Sequence, residues 1–328
     1  MRLIPRRRFL QIIAATSVSG LAMVRAGPAA SAAIQRWDGE ALGADASITL
    51  AELEPRRADK VLGACRDEIG RLEDIFSLYR ENSGLSRLNA DGMLADPPAE
   101  LTGLLDTCRQ VFALSKGGFD PTIQPLWRLY ADTYGDPHAP RLPDALEVAA
   151  RRRLIGFAAV SWNDRRVQFA KPGMAMTLNG IAQGFITDRI TGLLRSAGAT
   201  HALVNVGEYA GIGTHPDGRA WQVGIQDPRR ADATVDIMEL ADQAVATSGT
   251  YGGRFGDSGL NHIIDPRTGS SPERYLSVSV RHASATLADG LSTAFSFLNE
   301  SEIAAAAANI GGGVSVLLVR SDGTLAAI

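Results

Sequence analysis

The sequence predicts an α+β protein. Helical 3.6-residue and strand two-residue periods both occur, they alternate irregularly, and no βαβ series of the kind that builds a parallel sheet appears. With 328 residues, 45% of them hydrophobic, the chain can bury a large core, as one big domain or two closely joined lobes. The 34 glycines point to many turns and close backbone approaches. A formal charge of −3, with no basic patch interleaved with aromatics, leaves no electrostatic footprint for nucleic acid.

The first 32 residues stand apart. Arg6-Arg7-Arg8-Phe9-Leu10-Gln11 precedes an apolar run over 12–24, and small residues end at Ala30-Ser31-Ala32. A basic start, a short apolar stretch and an A-x-A site describe a secretory leader cleaved after Ala32. The paired arginines followed by Phe9-Leu10 look like a twin-arginine signal, which predicts a periplasmic protein with a mature region over 33–328. The apolar stretch is too short and too rich in Ser, Thr and Gly for a membrane span.

Along the mature region, residues 41–51 alternate as a strand after a linker-like start. Pro55 opens a helix to about residue 79, with Val61, Leu62, Cys65, Ile69, Leu72 and Phe76 in helical period. A loop is expected over 82–89, then a helix over 100–115 stopped by Gly117-Gly118. Residues 119–141, rich in Pro, Asp, Tyr and Trp, read as irregular surface able to line a cleft. A short basic-faced helix follows over 143–155, then strands over 158–162, 167–170 and 174–178. A helix over 181–196 leads to strands over 201–206, 221–226, 235–240, 243–247 and 276–281. Helices over 285–298 and 301–309 and a strand over 314–320 complete the pattern. Cys65 and Cys108 each lie on an apolar helix face, which favours buried thiols over a disulfide, and the absence of C-x-x-C or a His/Cys cluster argues against zinc or haem.

Four segments carry candidate chemistry. On the helix over 285–298, Leu287, Leu291, Ala294, Phe295 and Leu298 form one apolar stripe, with Asp289 and Thr293 a turn apart roughly opposite it and Ser292 between. A carboxylate and a hydroxyl at that spacing suit a magnesium-type ion, and describe a solvated outer helix face equally well. Residues 177–185, TLNGIAQGF, join a strand to a helix through Gly180, a turn suited to an anion or simply to close packing. Ala246-Thr247-Ser248-Gly249-Thr250-Tyr251 ends a strand in a hydroxyl-rich turn, phosphate-binding or structural. Among the five histidines, His262 alone sits between an apparent turn and Asp265-Pro266, where it serves as a general base or as packing. No G-x-G-x-x-G, G-x-S-x-G, H-E-x-x-H or Walker A sequence is present.

Taken in order, Ala41-Leu42-Gly43, Ser77-Leu78-Tyr79, Gly118-Phe119-Asp120-Pro121-Thr122, Leu178–Phe185, Asn205-Val206-Gly207-Glu208, Thr247-Ser248-Gly249, His262–Gly269 and Ala288–Thr293 resemble the ApbE family of FAD:protein FMN transferases. The resemblance spans essentially the whole mature chain, and TLNGIAQGFITD with the leader looks most like its NosX branch, accessory to nitrous-oxide reductase maturation. It implies an ApbE-like fold of mixed sheets and packed helices with a flavin cleft between two lobes. It also implies FAD as donor, Mg²⁺, and FMN transfer to a threonine or serine of an acceptor with release of AMP. That acceptor would be a periplasmic domain of a NosR-like membrane flavoprotein. The metal ligands it implies are Asp289 and Thr293, with Ser292 and the backbone at Gly180 beside them, and the base is His262. Leu42, Tyr79, Gly118, Phe119, Asp120, Thr177, Gln183 and Ile264 fall at flavin-contact positions. Thr177 stands where many members have aspartate, Gln183 where they have lysine or glutamate, and Leu42 where methionine is frequent. The loss of charge keeps open a flavin carrier without turnover, beside a third reading as an FAD pyrophosphatase.

Overall fold

The computed structural model describes residues 34–134, 141–255 and 259–328. The leader over 1–32 and His138 lie outside the described residues. In chain order the strands are β1 (Ile34–Ala41), β2 (Ala44–Ala51), β3 (Met93–Ala95), β4 (Val160–Trp162), β5 (Arg166–Phe169), β6 (His201–Val206), β7 (Tyr209–Ile212), β8 (Trp221–Asp227), β9 (Arg230–Leu240), β10 (Ala244–Gly249), β11 (Tyr275–His282), β12 (Ser315–Arg320) and β13 (Leu325–Ala327). The helices are α1 (Pro55–Phe76), α2 (Gly84–Asp91), α3 (Ala99–Leu114), α4 (Gln124–Tyr134), α5 (Ala145–Arg152), α6 (Ala182–Ser196), α7 (Ala285–Phe295) and α8 (Glu300–Ile310).

The main sheet has the order β1-β2-β6-β7-β10-β11-β12-β13, antiparallel throughout. Alternation along its strands decides what covers each face. Ile48, Val204, Ala246, Val278 and Leu318 join the core with α1, α6 and α7, through Leu72, Ile186, Leu291 and Phe295. Val245 and Leu317 point the other way and pack beneath the β8–β9 ribbon, with Trp221, Val223, Ile225 and Leu240. The sheet is therefore covered by helices on one face and by a twisted two-stranded ribbon on the other. A small third sheet, β3-β5-β4, is not hydrogen-bonded to either but adds Leu94, Val160, Val167 and Phe169 to the same core. This is the α+β class expected.

Several elements differ from expectation for local reasons. The linker-like start is β1, paired with β2 across Leu42-Gly43, where both residues have positive φ (48° and 82°), the turn whose twist suits a hairpin. The loop expected over 82–89 is α2, held by a Ser83 cap at one end and Gly92 in the left-handed region at the other. With two turns and only Leu85 and Leu88 buried among its large side chains, it leaves little periodic signal. The region read as irregular contains α4, which buries Leu126, Leu129 and Tyr130 at i, i+3 and i+4 and tolerates Pro125 in its first turn. Residues 174–178 form no strand. The Asn89 side chain takes the place of a neighbouring strand, its Nδ2 donating to the Met176 carbonyl (2.8 Å) and its Oδ1 accepting from the Met176 N–H (2.6 Å). Cys65 and Cys108 are free and fully buried, and burial pushes the Cys65 thiol up to about 12. Among the described residues no helix is long and apolar enough to cross a membrane.

Candidate functional site

Helix α7 sets the site. It is packed against α3, α6, β10 and β11, so both of its faces are covered and Asp289, the residue expected opposite the apolar stripe, is 4% exposed. The solvated-face alternative is thereby excluded. Two features of α6 hold α7 in place. At the N-terminus, the Asp188 carboxylate accepts from Ser284 Oγ (2.7 Å), Ala285 N (2.8 Å), Thr286 N (2.9 Å) and Thr286 Oγ1 (2.6 Å). Backbone donors that a helix start leaves unpaired are thus met by a negative charge, which the helix dipole favours. One turn earlier on α6, Gly184 lets the helices touch. A Cβ there would lie 2.2 Å from the Ala285 carbonyl oxygen and 2.7 Å from Asp289 Cβ. The Gly184 N–H donates to Asp289 Oδ2 at 2.9 Å.

Burial raises the Asp289 carboxyl well above the ordinary carboxylate range, with the Gly184 donor opposing. Glu208, on the turn between β6 and β7, is 8% exposed, and its carboxyl is raised by burial and by the negative charge of Asp289. Among the described residues no lysine or arginine figures among the causes of either shift. Two buried acids without a cationic side chain make a place that a hard cation would stabilise. Glu208 stands in the ApbE-like segment Asn205-Val206-Gly207-Glu208 but not among the expected site residues, because a lone acid there gives no sign of where the turn aims it.

Thr293, one turn after Asp289, lies against Gly180, where a Cβ would be 3.1 Å from Thr293 Oγ1 and 3.6 Å from the Phe119 ring. Gly118 in turn lies against Phe297, 2.7 Å from its Cβ position. Thus Phe119, Gly180 and Thr293 meet, with Gly118 beside them against Phe297 and Asp289 one turn earlier on α7. Ser292 is placed differently: 1% exposed, its Oγ donates to the Asp289 carbonyl (2.9 Å) and lies 2.7 Å from Ser248 Oγ. Ser248 Oγ is also 3.0 Å from Thr293 Oγ1. The hydroxyl-rich end of β10 therefore meets α7, a contact that neither segment announces alone.

The glycine turn into α6 offers fewer free donors than expected, because Ile181 N and Ala182 N bond the Leu178 carbonyl and Gly184 N serves Asp289. Gln183 is buried with its side chain on Gly207, where a Cβ would be 2.4 Å from Nε2. Thr177 donates its N–H to the Pro121 carbonyl (2.8 Å), and Asp120 caps the same turn. Both Asp120 oxygens serve the protein: Oδ1 accepts from Thr122 N and Oγ1, and Oδ2 from Phe157 N. Asp120 thus shapes the wall beside Phe119. Leu42 donates its N–H to Glu73 Oε1 (2.7 Å), Arg80 bonds Glu73 as well, and its neighbour Tyr79 is exposed. Ile264 has its side chain inside a small cluster with Leu126, Leu129, Tyr130 and Phe255.

His262 donates its N–H to the Gly253 carbonyl (2.7 Å), and its ring rests on Gly252 and Gly253, 3.1 Å from the latter's Cβ position. Nδ1 is buried without a hydrogen-bond partner. Burial pushes the imidazole below its ordinary value, which favours the neutral ring, partly opposed by the nearby Gly253 backbone. Gly253 is five positions after Ser248, a reach of at most about 18 Å. A cavity of about 540 Å³ between α5 and residues 268–271 shares none of these groups.

Among the described residues no three His, Cys, Asp or Glu side chains gather as metal ligands. The donors present are the Asp289 carboxylate, the Glu208 carboxyl on which its charge acts, and the Thr293 hydroxyl, all hard. This set fits magnesium, which keeps open positions for phosphate oxygens, and does not fit zinc.

The sequence profile of the ApbE family matches residues 42–318. The FAD:protein FMN transferase of Vibrio cholerae is 32% identical over 246 residues, covering 71% of this chain and 73% of that one. The Salmonella typhimurium protein of the same name is 25% identical over 306 residues, 90% of this chain and 87% of its own. Among solved structures, the flavin transferase ApbE from Vibrio cholerae superposes with a TM-score of 0.77 at 26% identity, covering 91% of this chain and 97% of that chain. The ApbE protein of Thermotoga maritima gives 0.77 at 27% identity, with 90% and 96% covered.

Proposed function

The chain belongs to the ApbE family, and from that premise we propose that it moves FMN from FAD to a threonine or serine hydroxyl of an acceptor protein, with magnesium and with release of AMP. The observation that carries the reading is the placement of Thr293 against Gly180, with buried Asp289 one turn earlier on α7, and of the His262 ring against Gly253, five positions after the Ser248 that bonds Thr293.

In this reaction the acceptor oxygen bonds to the FMN phosphorus. The bond from that phosphorus to the bridging oxygen breaks, and AMP departs with the electron pair. The acceptor's proton goes to His262, whose depressed pKa keeps it unprotonated and ready. An aliphatic hydroxyl loses its proton far above pH 7, so a positioned base contributes about 10²–10⁴-fold. Asp289 and Thr293 are the side chains that would hold magnesium, with the Gly180 carbonyl beside them. When bound, the ion supplies charge neutralisation at the pyrophosphate. Phe119, backed by Gly118 and the Asp120-capped turn, walls the site and excludes water there.

We assign the acceptor to the periplasm, as the leader implies, and take it to be a NosR-like membrane flavoprotein served by a NosX-branch enzyme. The twin-arginine-like start and the TLNGIAQGFITD wording support this. The test is to incubate the mature protein, FAD, magnesium and a recombinant periplasmic domain of such an acceptor, and to weigh the acceptor. Addition of one FMN at a hydroxyl residue is expected. FAD that remains bound and unchanged would sink the reading in favour of a carrier, which the neutral Thr177 and Gln183 favour. Free FMN formed without acceptor would instead identify a pyrophosphatase.

A further inference from the structure

Three hydroxyls link β10 to α7, and their hydrogens can be assigned from one fixed point. The Asp289 carbonyl accepts only, and Ser292 Oγ lies 2.9 Å from it. If Ser292 aimed its hydrogen elsewhere, two sets of lone pairs would face each other at hydrogen-bond distance. Its hydrogen therefore goes to the carbonyl. Ser292 Oγ must then accept across its 2.7 Å contact with Ser248 Oγ, which consumes the one hydrogen of Ser248. Ser248 Oγ must in turn accept across its 3.0 Å contact with Thr293 Oγ1, which consumes the hydrogen of Thr293. The chain of donation runs Thr293 to Ser248 to Ser292 to the backbone of Asp289.

We propose that Ser248 is a positioning residue for the cation site: by taking the Thr293 hydrogen it leaves the Thr293 oxygen with its remaining lone pairs free, ready as a metal ligand. A hydroxyl that turned its hydrogen into the site would repel a cation instead. The surroundings suit this role. Ser292, which takes the Ser248 hydrogen, is 1% exposed, so water cannot readily replace it there. The β10–β11 pairing of Ser248 with Val278 fixes where its side chain leaves the strand. Gly180 closes the other side of Thr293, where a Cβ would stand 3.1 Å from Oγ1. The proposal rests on the magnesium reading of the site given above.

The test is Mn²⁺ binding followed by electron paramagnetic resonance, with FAD present and no acceptor protein, for wild type, Ser248→Ala, Thr293→Val and the double variant. Loss of an outer partner of a ligand costs roughly 10–100-fold in affinity, so Ser248→Ala should weaken Mn²⁺ about tenfold or more. Because Ser248 acts through the Thr293 hydroxyl, it should have no further effect once that hydroxyl is gone: the double variant should match Thr293→Val. Ser248→Thr, which keeps the hydroxyl, should retain wild-type affinity, and it answers the question if the alanine variant melts early. Unchanged affinity in Ser248→Ala, or single losses that multiply in the double variant, would overturn the proposal. Wild type that binds Mn²⁺ but transfers no FMN would overturn the transferase reading and leave this one standing.

Discussion

Gly184→Ala tests the crossing of α6 and α7 at its tightest point. Two effects of opposite sign compete. In a helix interior, alanine is favoured over glycine by about 1 kcal/mol. Against this, the new Cβ would stand 2.2 Å from the Ala285 carbonyl oxygen and 2.7 Å from Asp289 Cβ. Comfortable contacts between such atoms begin near ~3.4 Å, so the helices must part by roughly 1 Å. Overpacking of this kind costs about 1–3 kcal/mol, which exceeds or equals the propensity gain. The effect on function should be larger than on stability, because the atom displaced carries a proposed metal ligand. A shift of that size stretches the Gly184–Asp289 hydrogen bond from 2.9 Å beyond useful range. Misplacement by about 1 Å at a reacting centre costs on the order of 10²-fold. The assays are thermal melting and FMN transfer to an acceptor as magnesium is varied. The expected result is a fall of a few degrees in melting temperature and a loss near 100-fold in kcat/KM, partly recovered at high magnesium. A variant that folds and transfers FMN within about twofold of wild type would refute the reasoning that this contact fixes Asp289.

Other outcomes follow from the same geometry. Asp188→Ala strips four hydrogen bonds from the start of α7, and loss of a cap costs about 1–2 kcal/mol; denaturant melts should show that loss, and Asp188→Asn should show less. Asp289→Asn should abolish transfer yet raise the melting temperature of metal-free protein at neutral pH, because the folded state raises this carboxyl's pKa and so loses stability as pH climbs above the unfolded carboxylate value. Lower stability in the asparagine variant at pH 7 would contradict the burial argument. His262 must be neutral to accept a proton, and burial lowers its pKa from 6.5. The acid limb of kcat/KM should therefore have its midpoint below 6.5, and a midpoint above it would remove His262 as a buried base.

Much of the fold was legible because long elements repeat their signal. α1 keeps Val61, Leu62, Cys65, Ile69 and Leu72 in period over 22 residues, and its register was readable without structure. α2 and α4 were not, since one has two turns and the other begins Gln124-Pro125, which reads as a break. The strand expected over 174–178 failed because apolar content does not show whether a neighbour exists, and here the neighbour is the Asn89 amide. In the site, Asp289 and Thr293 were visible as a helical pair, but the burial of Asp289 and the contacts of Thr293 were not, because the residues around them come from α6, β10 and the 118–120 turn. Ser248 was legible only as part of a hydroxyl-rich turn, and Glu208 only as part of a family-like segment, for the same reason. Each is one polar residue on a turn or strand end, and only tertiary packing shows what it faces.

The position of Ser248 in the sheet has a consequence for assembly. Strand neighbours alternate sides, so sliding β10 by a single residue against β11 would present Thr247 or Gly249 to α7 and send the serine to the ribbon side. No intermediate alignment gives a partial version of the contact. A misaligned molecule should consequently be inert rather than sluggish, and refolded preparations should divide into fully competent and silent fractions whose proportion, not whose turnover, changes with refolding conditions.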